Sequence, residues 1–291
     1  MPSRELVSVL IPAFNHERYV RECLVAIAAQ THRPLELLIA DDASTDTTAD
    51  VITAFLARHG AEFERVVFHR HDANVGVADT LNRLLVQARG TYIFLNASDD
   101  RASPRAIATL VDVLDNDRRA ALAVGDSVII DGSGARVYWG PNRETVNEEH
   151  TATYRTWVDY LRDVNRHGVF DPRLFGRIGT LHRVNYLPNG KLFRRTAVIQ
   201  AGGWQPGTFE DWVMNFRLAR RHRLRYVDEV LFAYRWHDTN TVHDPQRAPM
   251  LQNATKQVIA RELRNPIVWA RVLARRDLQS RVRNWAKSLQ R

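Results

Sequence analysis

The chain has 291 residues, of which 45% are hydrophobic and 25% charged, a composition that excludes a disordered or fibrous protein. A single cysteine excludes an internal disulfide, and no apolar run reaches the ~20 residues of a membrane-spanning helix. The net charge of +8 resides in residues 255 to 291, with ten Lys or Arg and two acids, so the rest is neutral. A neutral body argues against a nucleic-acid-binding protein.

Short apolar runs alternate with helical spacing in the first half of the chain. The strands are predicted at Leu6–Ile11, Leu35–Ala40, Arg65–Phe68 and Thr91–Leu95. The helices are predicted at Tyr19–Gln30, Thr47–Arg58 and Val77–Ala88, the second with Ser44 or Thr45 as its N-cap. This alternation predicts an α/β fold with a mostly parallel sheet flanked by helices.

Polar segments follow each of the four predicted strands. Ligands of such sheets bind beyond the carboxyl ends of the strands, so these segments are the candidate site. Asp and Asn are also common in turns and helix caps, which is the alternative explanation for any one segment. Two pairs of neighbouring carboxylates, Asp41-Asp42 and Asp99-Asp100, favour a binding site because like charges repel unless a cation lies near them.

These segments, in their order and spacing, resemble glycosyltransferase family 2, whose members have the Rossmann-like GT-A fold. The first half carries Val7–Pro12 with Phe14-Asn15, Asp41–Asp46, Asn74–Gly76, Gly90–Leu95 and Asp99-Asp100. The second half carries Leu192–Arg195, Gly202–Trp204, Glu210–Trp212 and Tyr234–His237. The resemblance implies a GT-A domain at 1–240, with a nucleotide-binding half at 1–131 and an acceptor and catalytic half at 132–240. Residues 241–291 are then a basic helical extension.

By this resemblance, Pro12 and Phe14 line a uracil pocket and Asp42 accepts the hydrogen bond of the pyrimidine N3–H. An aromatic face beside one fixed acceptor suits a pyrimidine that carries an imino proton. The alternative for Phe14 is ordinary packing in the core. The resemblance assigns further residues to the nucleotide, with Asp41 orienting its loop: Asn15, Asp41, Asn74, Gly76 and Asp99.

The pair Asp99-Asp100 resembles the end of the family's metal-binding aspartate motif. Asp100 is the predicted direct ligand of a Mn²⁺ or Mg²⁺ ion that also contacts the diphosphate. An edge strand is predicted at Val230–Tyr234. His237, just after it, resembles a family position that approaches this metal, and a structural histidine is the alternative. Asn96 and Ser98 stand where many members have another aspartate, so we expect weak metal binding in the absence of nucleotide.

The pair Glu210-Asp211 resembles the catalytic motif of the family, in which Asp211 is the general base. A single base and a direct displacement predict inversion at the anomeric carbon. The alternative is that Glu210 or Asp211 caps the predicted helix Trp212–Arg221. Trp204 and Trp212 are predicted to stack on acceptor sugars, with core packing as the alternative.

The leading prediction is an inverting, metal-dependent transferase of a hexose or N-acetylhexosamine. It uses a UDP-sugar and a glycan or lipid-linked acceptor in surface polysaccharide biosynthesis. The alternative is a non-catalytic nucleotide-sugar-binding protein or a membrane-tethered scaffold, which turnover distinguishes from an enzyme. A nicotinamide oxidoreductase is disfavoured because no G-x-G-x-x-G follows the first strand.

Residues 266–291 combine apolar residues at spacings of three or four with basic neighbours. This pattern predicts a helix on an anionic membrane surface, and packing of the apolar stripe on the body is the alternative. The first residues lack a secretory signal pattern. We therefore expect a cytoplasmic protein that is peripheral on the inner face of the cell membrane. A protein truncated near residue 254 is expected to lose vesicle binding but to keep donor hydrolysis.

Overall fold

The computed structural model describes residues 5–165, 170–171 and 174–268, and this part of the chain forms one large sheet with helices on both faces. The strands are β1 Val7–Ala13, β2 Leu35–Asp41, β3 Arg65–Arg70, β4 Tyr92–Leu95, β5 Arg101–Ala102, β6 Ala120–Ile130, β7 Arg136–Trp139, β8 Thr145–Val146, β9 Lys191–Arg194 and β10 Arg223–Arg235. The α-helices are α1 Val20–Ala28, α2 Thr48–His59, α3 Val77–Gln87, α4 Ala106–Asn116, α5 Trp157–Asn165, α6 Ile178–Leu181, α7 Arg195–Gln200, α8 Glu210–Ala219 and α9 Arg247–Leu263.

The sheet is mostly parallel, as predicted. Its order is β3-β2-β1-β4-β9-β6-β10-β5, and β7 and β8 extend from β6. β1 pairs in parallel with β2 and β4, β2 with β3, and β6 with β10. β9 lies between β4 and β6 and is antiparallel to both. The carboxyl ends of β1 to β4, β6 and β10 therefore lie at one edge of the sheet.

Two hydrophobic cores cover the two faces of the sheet. Side chains alternate along β1, so that Val9 and Ile11 belong to the core beneath α1 and α4, and Leu10 belongs to the core beneath α3 and α8. All three side chains are fully buried, and each contributes about 1.5–3 kcal/mol to folding. Because both faces are covered, β1 is apolar apart from Ser8, and its position beneath the candidate site is fixed.

Two local predictions are wrong. Neither Ser44 nor Thr45 caps α2, because the helix begins at Thr48 with Thr47 as its N-cap residue. The Thr48 backbone N–H donates to Asp46 Oδ1 at 2.9 Å, so the turn before the helix is closed by Asp46. The predicted edge strand Val230–Tyr234 is instead the end of the longer β10, which pairs with β6 and β5 on its two sides.

The start of the C-terminal extension packs on the body. Leu251 and Ile259 of α9 are buried, and the Phe209 backbone N–H donates to Thr255 Oγ1 at 2.8 Å. A truncation near residue 254 would therefore cut a packed helix. Residues 269–291, which hold most of the predicted membrane-binding stretch, lie outside the described residues. In the described part, no helix is long and apolar enough to cross a membrane.

Candidate active site

The loops after β1 and β2 interlock at the carboxyl edge of the sheet. Asn15 Oδ1 accepts a hydrogen bond from the Thr45 backbone N–H at 2.9 Å, and the Asn15 N–H donates to Ser44 Oγ at 2.9 Å. Asp41 is fully buried and accepts from the Ser44 hydroxyl and backbone N–H, so it holds the loop. Asn15 and Ala43 have φ of 53° and 61°. Such left-handed conformations are uncommon for non-glycine residues and cluster at functional sites.

Asp42 lies at the centre of the predicted nucleotide site. Its Oδ1 accepts from the Val75 backbone N–H at 2.9 Å and lies 2.9 Å from His71 Nδ1, while Oδ2 accepts from the Gly76 N–H at 2.8 Å. Burial alone would raise the pKa of Asp42, but these hydrogen bonds outweigh it and lower the pKa. A carboxylate has about four acceptor positions, so Oδ2 keeps one for a ligand. Asn74 Nδ2 donates to the Asp42 carbonyl at 3.2 Å.

Phe14 projects from the end of β1 with 41% of its surface exposed, which is inconsistent with the core-packing alternative. Pro12 is half-buried in the same strand. An open cavity of about 380 Å³ lies beside the loops that follow β2 and β3. Its lining residues are Ala43, Ser44, Arg70, His71 and Asp72. An exposed aromatic face next to a fixed acceptor is suited to a nucleobase.

Asp99, His237 and His16 form a cluster that could hold a metal, with ligand atoms within 4.8 Å of one another. Asp99 Oδ2 lies 3.0 Å from His237 Nε2 and 3.8 Å from His16 Nε2. Burial alone would raise the pKa of Asp99, but the hydrogen bond with His237 and the electrostatic interactions with both histidines lower it. Burial lowers the pKa of His16. An ionised carboxylate and a neutral imidazole are the forms that bind metals.

Neighbouring hydroxyls orient the two histidines. His16 Nδ1 lies 2.7 Å from Ser98 Oγ, and His237 Nδ1 lies 2.8 Å from Thr239 Oγ1. Such outer partners fix the ring orientation of metal-binding histidines. The sequence predicted His237 but missed His16. The signal for His16 is its place directly after the end of β1, because β1 pairs with β4 and the two strand ends are neighbours.

Asp100, the predicted direct ligand, lies outside this cluster. Its Oδ1 accepts from the Arg235 backbone N–H at 2.8 Å, and its buried Oδ2 has no hydrogen-bond partner among the described residues. Burial, followed by repulsion from Asp99, raises the pKa of Asp100 well above its usual range. The buried Arg235 Nε donates to the Asp99 carbonyl at 2.7 Å, so β10 fixes this turn. Asp99, assigned to the nucleotide from sequence, and not Asp100 therefore supplies the carboxylate of the candidate cluster among the described residues.

Asp211 is the second residue of α8 and has two partners on one oxygen. Its Oδ2 accepts from Asn185 Nδ2 at 2.8 Å and from Lys191 Nζ at 3.1 Å. Oδ1 has no hydrogen bond among the described residues, and 22% of the side chain is exposed. Lys191 is buried in β9, and neither it nor Asn185 was singled out from sequence. The arrangement holds one oxygen and leaves the other available to a substrate.

The neighbouring Glu210 differs in its surroundings. Burial, followed by the charge of Asp211, raises the pKa of Glu210 to about 7. The N-cap residue of α8 is Phe209, and no side chain forms a cap hydrogen bond there, so the capping alternative is not supported.

The charges of the Asp99-Asp100 pair and of Asp211 both act on Tyr234. Burial raises the pKa of its hydroxyl, and the charges of Asp100, Asp99 and Asp211 add to this effect. Lys191, which donates to Asp211, pairs with Leu95 at the end of β4, the strand that Asp99 follows. The predicted metal and base residues therefore lie at the same edge of the sheet, and the region between them is the candidate cleft.

Trp204 and Trp212 lie in the core and not in the cleft. They are 1% and 4% exposed, and Trp212 Nε1 donates to the Leu181 carbonyl at 2.6 Å. Trp204 packs edge-on against Phe193 with ring centroids 6.2 Å apart. Because neither indole presents a free face, the placement supports the packing alternative and gives no support to sugar stacking.

Comparison with known proteins identifies the family of this chain. The family model described as glycosyl transferase family 2 matches residues 8–172. The chain belongs to this family. A PGL/p-HBAD biosynthesis glycosyltransferase of Mycobacterium bovis is 27% identical over 288 residues, which cover 97% of this chain and 98% of the relative. Glycosyltransferase GlyG of Streptococcus pneumoniae is 30% identical over 135 residues, 46% of this chain and 43% of GlyG.

Solved structures share the fold at low sequence identity. S. aureus TarS 1-349 in complex with UDP-GlcNAc superposes with a TM-score of 0.64 at 18% identity, covering 89% of this chain and 66% of that one. The mannosyltransferase PcManGT from Pyrobaculum calidifontis, in complex with GDP-Man and Mn²⁺, gives 0.60 at 15% identity, covering 99% and 81%. The chain is a family 2 glycosyltransferase with the GT-A fold, as the sequence predicted.

Proposed function

We propose that this enzyme transfers a hexose or N-acetylhexosamine from a UDP-sugar to a hydroxyl of a glycan or lipid-linked acceptor in surface polysaccharide biosynthesis, with inversion. The observation that carries the proposal is that the Asp99 cluster and Asp211 lie at the same edge of the sheet, with Asp211 held by Lys191 beside the end of β4. A transferase needs both parts, because one side must hold a diphosphate and the other must accept a proton. The nucleotide sugars bound by TarS and PcManGT support a donor of this class.

The nucleoside binds at the loops after β1 and β2. The exposed ring of Phe14 offers a face to the base, and Asp42 Oδ2 keeps an acceptor position for its imino proton. Asn74 and Gly76 contribute through their hydrogen bonds to Asp42, which fix the direction of its carboxylate.

The residues of the Asp99 cluster fit a divalent cation. One carboxylate oxygen and two imidazole nitrogens suit Mn²⁺ better than Mg²⁺, which prefers oxygen ligands alone. Asp99, His237 and His16 would hold the ion and leave positions for phosphate oxygens. When bound, the cation supplies positive charge that stabilises the diphosphate leaving group.

Asp211 Oδ1 takes the proton of the acceptor hydroxyl. As that proton leaves, the hydroxyl oxygen bonds to the anomeric carbon, the bond from this carbon to the diphosphate oxygen breaks, and UDP departs. Lys191 and Asn185 hold Oδ2 and so direct Oδ1 towards the cleft. One displacement without a covalent enzyme intermediate inverts the anomeric configuration.

A donor screen tests the proposed function. We expect the protein with Mn²⁺ to release UDP slowly from at least one of UDP-glucose, UDP-galactose, UDP-GlcNAc and UDP-GalNAc, and to release GDP from GDP-mannose more slowly. The measurement is a coupled assay of free nucleotide, with a metal-free sample as control. Binding of UDP without turnover of any donor would instead support the non-catalytic alternative.

We also propose that residues 266–291 attach the enzyme to the inner face of the membrane. Each basic residue near an anionic surface contributes about 1 kcal/mol, which salt weakens. We expect the full chain to co-sediment with phosphatidylglycerol vesicles at low salt. A variant that ends at residue 268, and so retains α9, should remain in the supernatant and still hydrolyse the donor. Equal sedimentation of the two proteins would assign the tail a different role.

A further inference from the structure

An aromatic wall extends from the cleft towards the β7–β8 turn. It consists of Trp139, Trp157, Tyr160 and Trp236. Trp139 contacts Trp236 and Trp157 with centroid separations of 4.8 and 5.1 Å, and Trp157 lies 4.8 Å from the ring of Tyr234. Trp236 directly precedes His237. The wall therefore begins at the candidate active site and ends in the half of the chain that follows β6.

Arg143 lies against the outer end of this wall, in the turn between β7 and β8. The guanidinium carbon is 5.2 Å from the ring centre of Tyr160, 5.3 Å from that of Trp236 and 6.0 Å from that of Trp139. Such cation–π contacts are attractive, and more strongly so when they are removed from water. Three rings thus fix the position of one cation.

The backbone of Arg143 adds a second observation. Its φ is 64°, and the other non-glycine residues with positive φ in the described part of the chain are Asn15 and Ala43, both in the nucleotide loops. A left-handed backbone conformation is unfavourable for arginine and persists where the surroundings impose it. The turn is therefore strained in the same way as the loops of the candidate site.

The charge of Arg143 has no acidic partner within the described residues. The neighbouring Glu144 accepts a hydrogen bond from the Asn142 backbone N–H at 2.8 Å. Arg235, by contrast, is paired with Glu22 at 2.8 Å. Stacking occupies the face of the Arg143 guanidinium and leaves its N–H groups in the plane, where they can bind an anion in a bidentate manner.

We propose that Arg143 binds an anionic group, a phosphate or a carboxylate, of the acceptor substrate. The proposal rests on the proposed function and specifies its acceptor class. The Arg143 turn follows β6, whereas the nucleotide loops follow β1, β2 and β3, so the anion belongs to the acceptor half of the cleft. The Arg143 guanidinium carbon lies 5.3 Å from the ring centre of Trp236, the residue before His237, so an anion bound to Arg143 lies next to the candidate active site.

The test is calorimetric titration of the protein, saturated with UDP and Mn²⁺, with methyl phosphate and separately with acetate. We expect wild type to bind one of the two anions, which identifies the phosphate or the carboxylate, and Arg143→Gln to bind it at least about tenfold more weakly. The matched control is Arg136→Gln in the same hairpin, where Arg136 stacks 5.1 Å above the exposed side of Tyr138. This control should retain the wild-type affinity.

The outcomes separate the proposal from its alternatives. Equal anion affinity in wild type and Arg143→Gln, or no binding of either anion by wild type, would overturn it. A parallel loss of UDP affinity in Arg143→Gln would also overturn it, by assigning the arginine to the donor diphosphate. If wild type does not bind UDP, the proposed function fails, and the anion titration without nucleotide still tests Arg143. Should Arg143→Gln not fold, Arg143→Lys, which lacks the planar fork, takes its place.

Discussion

Replacement of Asp211 by Asn is expected to lower turnover by at least about 100-fold, the usual contribution of a general base. The amide has the shape of the carboxylate but cannot accept a proton from the acceptor hydroxyl or from water. Asp211 lies at the start of α8, away from the loops that contain Phe14 and Asp42, so UDP affinity should change little. The measurements are nucleotide release from the donor and calorimetric titration with UDP and Mn²⁺.

The matched control for this variant is Asp228→Asn. The Asp228 side chain is 76% exposed, pairs with Arg162 at 3.1 Å and lies outside the cleft. The same loss of charge at that position should leave turnover at the wild-type level, because exposed ion pairs contribute little. Near-normal turnover of Asp211→Asn would remove Asp211 from the mechanism.

Replacement of Asp99 by Asn is expected to abolish the increase in UDP affinity that Mn²⁺ produces. The amide cannot supply the anionic oxygen that lies between His237 and His16. Loss of an outer-shell partner already weakens metal binding by about 10–100-fold, so loss of this ligand should cost at least as much. The measurement is UDP affinity with Mn²⁺ and with chelator. In wild type, chelator should also abolish turnover.

The variant Asp100→Asn distinguishes between Asp99, the metal ligand that the structure favours, and Asp100, the metal ligand predicted from the sequence. Asp100 already has a raised pKa, and Oδ1 accepts from the Arg235 N–H, so a neutral side chain of the same shape is tolerated. We expect Asp100→Asn to keep the effect of Mn²⁺ on UDP affinity. The opposite pattern, with Asp99→Asn unaffected and Asp100→Asn impaired, would restore Asp100 as the direct ligand.

The sequence predicted the parts of the fold that have a local signal. β1 to β4 and α1 to α3 follow from apolar runs and helical spacing, and the carboxyl ends of parallel strands located Asp42 and the Asp99-Asp100 pair. The antiparallel β9 between β4 and β6 has no such signal, because strand order is set by tertiary packing. Lys191 reaches Asp211 through that insertion and was therefore missed.

The structure was needed to assign residues whose side chains suit two different environments. A tryptophan next to a motif suits a sugar or a core equally well, and only the burial of Trp204 and Trp212 decides for the core. Arg143, by contrast, had no signal in the sequence at all. It lies in a segment without periodicity, and its contacts with three rings arise from residues far apart in the chain.

The most direct test of the mechanism is the anomeric configuration of the sugar that the enzyme first releases from its α-linked UDP-sugar. Time-resolved ¹H NMR follows donor hydrolysis before the free sugar mutarotates, and it requires no knowledge of the acceptor. A single displacement in which Asp211 activates water predicts that the β anomer appears first. The reaction should require Mn²⁺, and Asp211→Asn should be inactive. First release of the α anomer would contradict the account.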